Sequence, residues 1–206
     1  RIVESVYGKE TSDMEFVIAR NALKESIVSM PEPVQALAVT PGTLLDADDA
    51  LSAVAYDKGA WFLQFLEQRF GREPFDAFLR GYFDHFAFQS ITTEQFLAYA
   101  KEHLFDKYPG TVTDAEIQEW VYGPGIPASA PQVMSRNFGI VDSARLAWLG
   151  SAQLPPRQIT DAWSTQEWLH FLDSLPATLT HEQMAQLDGA YHFTGTGNGE
   201  IAMRWY

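Results

Sequence analysis

The chain contains no cysteine. Disulfides, thiolate metal ligands and a cysteine nucleophile are therefore excluded from its 206 residues. Such a composition fits a reducing compartment, and a cytoplasmic location is favoured over a periplasmic or secreted one. Basic charge is scarce: 14 Lys and Arg stand against 27 Asp and Glu, for a formal net charge of -13. That balance argues against nucleic acid and anionic membrane surfaces as partners, because both attract basic patches. An acidic surface favours solubility and can also draw a cationic ligand such as a free peptide amine. No apolar run approaches the roughly 20 residues that cross a bilayer. The opening Arg1-Ile2-Val3-Glu4 has neither an initiator methionine nor an apolar leader, so the expectation is a segment of a longer polypeptide. The last residues, Glu200 to Tyr206, stop inside an amphipathic pattern and carry the same expectation.

Several catalytic patterns are missing too. His181-Glu182-Gln183-Met184-Ala185 begins like a zinc-binding His-Glu-x-x-His helix, but Ala185 stands where the second histidine would lie one turn on. His85, His103, His170 and His192 have no partner at a two-ligand helical spacing, and no metal is expected on these residues. Gly195-Thr196-Gly197-Asn198-Gly199 follows no clear strand and lacks the lysine of a phosphate loop, so it reads as a flexible turn. The serines form no nucleophile elbow. Glu116 and Glu119 fall on a helix face flanked by solvent-type residues, which does not suit acid–base work.

What the chain has in abundance is material for a helical core. Hydrophobic residues make up 46% and aromatics 14%, well above what a disordered chain carries. Helix starts are written in repeatedly. Thr92-x-x-Gln95, Thr113-x-x-Glu116, Ser164-x-x-Glu167 and Thr180-x-x-Gln183 each match the capping box, in which a hydroxyl and a returning side chain satisfy free amide donors. Apolar stripes at helical spacing follow. Trp61, Phe62, Phe65 and Leu66 form one, and Phe75, Phe78, Leu79, Tyr82, Phe83 and Phe86 form a broad aromatic second that is expected to face the core. Nothing alternates over six residues between turn signals, so the fold class is all-α. Residues 31–49 read as an irregular acidic loop. Residues 123–132, with Gly123-Pro124-Gly125, Pro127 and Pro131, suit a boundary between domains at 1–130 and 131–206. Helices are expected near 141–150, 161–175 and 180–191.

The most informative stretch is Ala53-Val54-Ala55-Tyr56-Asp57-Lys58-Gly59-Ala60-Trp61-Phe62, a polar turn running straight into an apolar helix. A phenol keeps its proton at pH 7 and is a neutral hydrogen-bond donor. Lys58 and Asp57 flank the tyrosine as an exposed ion pair, which contributes little. Gly59 is expected to relieve crowding where the helix passes a neighbour. Together with Trp120-Val121-Tyr122-Gly123-Pro124-Gly125-Ile126-Pro127 and with Ser90-Ile91-Thr92-Thr93-Glu94-Gln95-Phe96, this stretch resembles the gluzincin zinc metallo-aminopeptidases, the family of aminopeptidase N and leukotriene-A hydrolase.

That resemblance implies several things. Residues 1–130 would be the helical rear lobe, C-terminal to the zinc motif, of a thermolysin-like catalytic domain. Residues 131–206 would be the truncated start of a helical-repeat C-terminal domain. The whole protein would be a zinc-dependent aminopeptidase acting on peptides through their free N-terminus. Its zinc ligands would be absent from these residues, and the 206-residue chain alone would be inactive. Tyr56 would be the catalytic donor to the oxyanion, and Asp48 a substrate-binding carboxylate in the pocket. Leu51 replaces a second tyrosine that leukotriene-A hydrolase carries at the matching place, so lipid-epoxide chemistry is not implied. Read from the residues alone, the same paired amphipathic helices also suit a non-enzymatic scaffold or interaction module. Nothing in the pattern sets an oligomeric state.

Overall fold

The computed structural model describes residues 2–38, 42 and 52–206. Among these, every regular element is helical, and the all-α expectation holds. The helices are α1 (Ile2–Tyr7), α2 (Lys9–Ile27), α3 (Gly59–Phe70), α4 (Arg72–His85), α5 (Thr93–Ala100), α6 (Asp114–Tyr122), α7 (Arg136–Ser151), α8 (Arg157–Thr160), α9 (Thr165–Asp173), α10 (His181–Tyr191) and α11 (Gly199–Trp205). A 3-10 turn occupies Glu32–Gln35, where a wholly irregular loop was expected, and π turns occupy Val54–Lys58 and Lys101–Phe105.

All four capping boxes form as the sequence predicts. In each, the Thr or Ser side chain accepts the backbone N–H three residues on, and that residue's side chain returns to the cap. The glycine-rich stretch near 197 holds a cap that the sequence reading passed over. Asn198 accepts from the backbone N–H groups of Glu200 and Ile201 and so starts α11.

The chain divides into two compact units. The unit spanning Ile18–Gln132 is built around aromatic rings. Phe62 and Phe65 of α3 meet Trp120 of α6 at ring-centroid distances of 5.7 and 5.5 Å. Leu66, Leu104, Ala100 and Leu23 are buried in the same core. Each large apolar side chain buried this way contributes about 1.5–3 kcal/mol. Arg69 of α3 reaches Glu116 of α6 at the surface of the same unit.

The aromatic stripe of α4 is narrower than the sequence suggests. Phe75 and Phe78 are buried, while Phe83 is 67% exposed. At 100° per residue, Phe83 lies far enough round the helix from Phe75 and Phe78 to leave the core face.

The other unit combines residues up to Val17 with Val133–Tyr206. Trp148, Val141, Phe171, Leu187, Phe193 and Ile201 form its main core, and Met14, Val17 and Phe138 a smaller one. Ser135 caps α7 by accepting from the backbone N–H of Phe138, which starts that helix earlier than the expected 141.

Candidate active site

The tyrosine stretch forms a π turn that leads directly into α3. The backbone N–H of Gly59 is shared between the carbonyls of Val54 and Tyr56, and the bond to Val54, five residues back, closes a wider ring than an α-helix does. Within this turn, Val54 and Lys58 point inward, at 2% and 0% exposure, and Tyr56 points outward at 77%. No described residue bonds the Tyr56 hydroxyl or packs a ring against its ring. Asp57 is half-buried, and that burial raises its carboxyl pKa above the ordinary carboxylate value.

Lys58 departs from expectation. It is not an exposed partner of Asp57 but a sealed ammonium that donates to the backbone carbonyls of Gln35, at 2.9 Å, and Gly123, at 2.7 Å. Burial pushes its pKa down to about 8, partly opposed by the charge of Glu119. Charge-assisted bonds of this kind are the stronger ones, and they limit the cost of holding a cation away from water. The sequence did hold a signal for this burial. Val54, Lys58, Phe62 and Leu66 recur every four residues, so Lys58 is in phase with the apolar stripe of α3.

The two acceptors join a wider network. The Gln35 side-chain amide donates to the carbonyls of Ile27 and Met30, at 3.1 and 2.7 Å, and its Oε1 accepts the N–H of Gly125 at 2.9 Å. The two stretches singled out in the sequence, 53–62 and 120–127, are thus bonded together through one lysine and one glutamine. Glycine is needed at 123 for space, since a Cβ there would lie 2.5 Å from the Glu119 carbonyl oxygen. At 125 it is needed for conformation, with φ at +68°. Gly59 is different: a Cβ there would meet only Leu37 Cδ2 at 3.9 Å, so the expected crowding is not found. Trp61 completes the frame by donating its indole N–H to the Pro131 carbonyl at 2.9 Å.

Of the predicted site residues, Tyr56 is described, while Asp48 lies outside the described residues, as does Leu51. Among the described residues, no group of three or more His, Asp or Glu side chains is placed to hold a metal ion, and these residues do not fit a zinc site. His181 stands exposed at the start of α10. His170 stacks on Phe138 at 4.1 Å and bonds Asp142 at 3.1 Å. His103 lies 4.0 Å from the Tyr99 ring and His85 5.2 Å from it. His192 ends α10 at a left-handed φ of 57°. No described helix is long and apolar enough to cross a membrane.

The peptidase family M1 domain matches residues 1–120, and the leukotriene A4 hydrolase C-terminal model matches residues 163–206. Leucine aminopeptidase 2 of Yarrowia lipolytica is 28% identical across 100% of this chain and 35% of its own length. Aminopeptidase B of Rattus norvegicus is 29% identical, again across 100% of this chain and 34% of its own. The chain thus spans about a third of the length of these relatives. Native leukotriene A4 hydrolase from Saccharomyces cerevisiae has the same fold over 99% of this chain and 37% of its own, with a TM-score of 0.84 at 24% identity. With the M1 match covering well over half its residues, the chain belongs to peptidase family M1.

Proposed function

We propose that the full-length protein is a zinc-dependent aminopeptidase that removes N-terminal residues from peptides, and that Tyr56 is the donor to its oxyanion. In this reading residues 1–130 are the C-terminal lobe of the catalytic domain and 131–206 begin the helical C-terminal domain. Zinc is the cofactor of the whole protein, held by ligands outside these residues. Asp48, in the same reading, is a substrate-recognition carboxylate. The net charge of -13 suits a protein whose substrates arrive through a free, cationic N-terminus. A cytoplasmic setting belongs to the same reading, supported by the absence of cysteine from the chain.

The observation that carries the proposal is the state of Tyr56. Its hydroxyl stands free of any described partner on a turn whose neighbouring side chains are tied down. Such a donor is available when a tetrahedral intermediate gathers negative charge on the former carbonyl oxygen. A donor placed before reaction stabilises that charge without the reorganisation that water would require. The phenol acts through its O–H as a hydrogen-bond donor to that oxygen.

The test is Tyr56→Phe in the full-length protein, with zinc content measured alongside turnover. The expected result is a fall in kcat of about 10²–10³ with zinc intact. Unchanged turnover would remove Tyr56 from the reaction. The isolated 206-residue chain is expected to show no peptidase activity, even with zinc added.

A further inference from the structure

We infer that Lys58 is a positioning residue for Tyr56: its sealed ammonium, held by the carbonyls of Gln35 and Gly123, fixes the turn that presents the tyrosine hydroxyl. This rests on the reading of Tyr56 as the oxyanion donor and adds a residue that cannot itself reach substrate. With 0% exposure, Lys58 acts only through what it holds.

Between Ala53 and Lys58, only Val54 and Lys58 are buried. Val54 is held by apolar contact, which has no direction and tolerates sliding or rotation. Lys58 is held by short hydrogen bonds to main-chain oxygens on opposite sides in sequence, 23 residues before it and 65 after. Those oxygens are themselves fixed. Gln35 is bonded by its side chain to Ile27, Met30 and Gly125. Gly123 is packed so closely on Glu119 that no side chain fits. The lysine therefore sets the rotation of the π turn against a rigid frame, and Tyr56, two residues earlier, takes its direction from that rotation.

The chemistry of the choice points the same way. A methionine of similar length would fill the space without desolvating a charge, and buried ionic groups often stabilise no better than apolar ones of the same volume. The depressed ammonium pKa shows that the fold carries this cost. What a methionine cannot supply is direction. Catalytic donors need placement to a fraction of an ångström, and a misplacement of about 1 Å can cost on the order of 100-fold in rate.

The experiment is a double-mutant cycle in the full-length protein, using Lys58→Met, Tyr56→Phe and both together, with kcat and KM measured separately. The expected result is a fall in kcat of about 10- to 100-fold for Lys58→Met, with KM little changed. The double variant is expected to be no slower than Tyr56→Phe alone, because a phenylalanine has no hydroxyl left to misplace. A double variant slower by the product of the two single effects would make Lys58 merely structural and overturn the inference. So would a Lys58→Met protein whose kcat is intact or whose only change is in KM. If Tyr56→Phe alone leaves kcat unchanged, the oxyanion reading falls and this inference falls with it. A failure confined to the cycle leaves the reading of Tyr56 standing. If Lys58→Met does not accumulate as folded protein, Lys58→Gln keeps amide donors in the same place. It is expected to be intermediate in kcat and subject to the same non-additivity.

Discussion

Among the described residues of the unit Ile18–Gln132 the π turn occurs twice, and the two uses differ in every side chain that matters. In the turn at Lys101–Phe105, the N–H of Asp106 reaches back to the Lys101 carbonyl at 2.9 Å. Leu104 takes the inward place at 0% exposure, and His103 lies over the Tyr99 ring. Its lysine, Lys101, is outside, bonded to the Asp106 carboxylate at 2.7 Å, and that bond raises its pKa. In the turn at Val54–Lys58 the lysine is inside with its pKa pushed down to about 8 by burial, and the outward ring of Tyr56 has no described partner. A π turn is therefore a backbone device and not a site in itself. What separates these two is a directional anchor beneath and an unspent hydroxyl above.

Matched substitutions at the third residue of each turn separate the two most strongly. Tyr56→Phe is expected to lower kcat of the full-length protein about 10²–10³-fold. His103→Phe keeps an aromatic ring on Tyr99 and is expected to leave kcat where it was. Equal losses from both would mean that turnover responds to any disturbance of this unit, and the special status of Tyr56 would go.

The next effect is in stability as a function of pH. Lys58 has a folded pKa near 8 against an ordinary 10.5, so the unfolded chain holds its proton more tightly. Below about pH 8 the ammonium is charged in both states and the full cost of burying it is present. As pH rises from about 8 through 10.5, the folded form loses the proton first and that cost is relieved. The stability of the native protein relative to Lys58→Met should therefore rise across this window, with a slope approaching about 1.4 kcal/mol per pH unit. Denaturant titrations at several pH values report it, since Trp61 and Trp120 lie in the same core and change fluorescence on unfolding. A flat or falling difference would place the ammonium in a wetter setting than the structure gives it.

Smaller effects separate the glycines around the turn. Gly123→Ala would force a Cβ to 2.5 Å from a main-chain oxygen and is expected to destabilise by about 1–3 kcal/mol, as overpacking does. Gly59→Ala meets only Leu37 at 3.9 Å and has helical φ and ψ of -60° and -47°. It is expected to stabilise by about 0.4–1 kcal/mol, through the freedom it removes from the unfolded chain. Thermal unfolding of the pair checks both signs.

These contrasts also show what the sequence could and could not disclose. The capping boxes were legible because their whole chemistry fits inside four adjacent residues. Thr92 and Gln95 need nothing from elsewhere. The all-α class was legible for the same local reason. The aromatic stripe of α4 was drawn too wide because six apolar residues invite a broad face, whereas a helix has room to bury a narrower one, and Phe83 was left outside. Lys58 was misread because its partners are backbone carbonyls 23 and 65 residues distant, and every residue has a carbonyl. No side-chain pattern marks an acceptor of that kind. Only the phase of Lys58 with Val54, Phe62 and Leu66 betrayed it, and the nearby Asp57 offered an easier but wrong partner. The Asn198 cap was hidden by the glycines around it, which suggested a loose turn.

The smallest expected effect completes the contrast between the two lysines. Lys101 is held by one exposed carboxylate, with both side chains more than half accessible, at 66% and 57%. Water and salt screen such a pair, and ordering two long side chains offsets much of what attraction remains. Lys101→Ala is therefore expected to leave the unfolding midpoint unchanged within measurement, at both low and high ionic strength. Lys58→Met, in contrast, takes the donor away from the half-buried carbonyls of Gln35 and Gly123, and an acceptor left unsatisfied away from water costs about 1–3 kcal/mol. The two lysines carry the same charge, and their surroundings decide whether removing it is felt. A Lys101→Ala loss as large as that of Lys58→Met would mean that burial and backbone acceptors add nothing, and the anchor under Tyr56 would be no firmer than a surface ion pair.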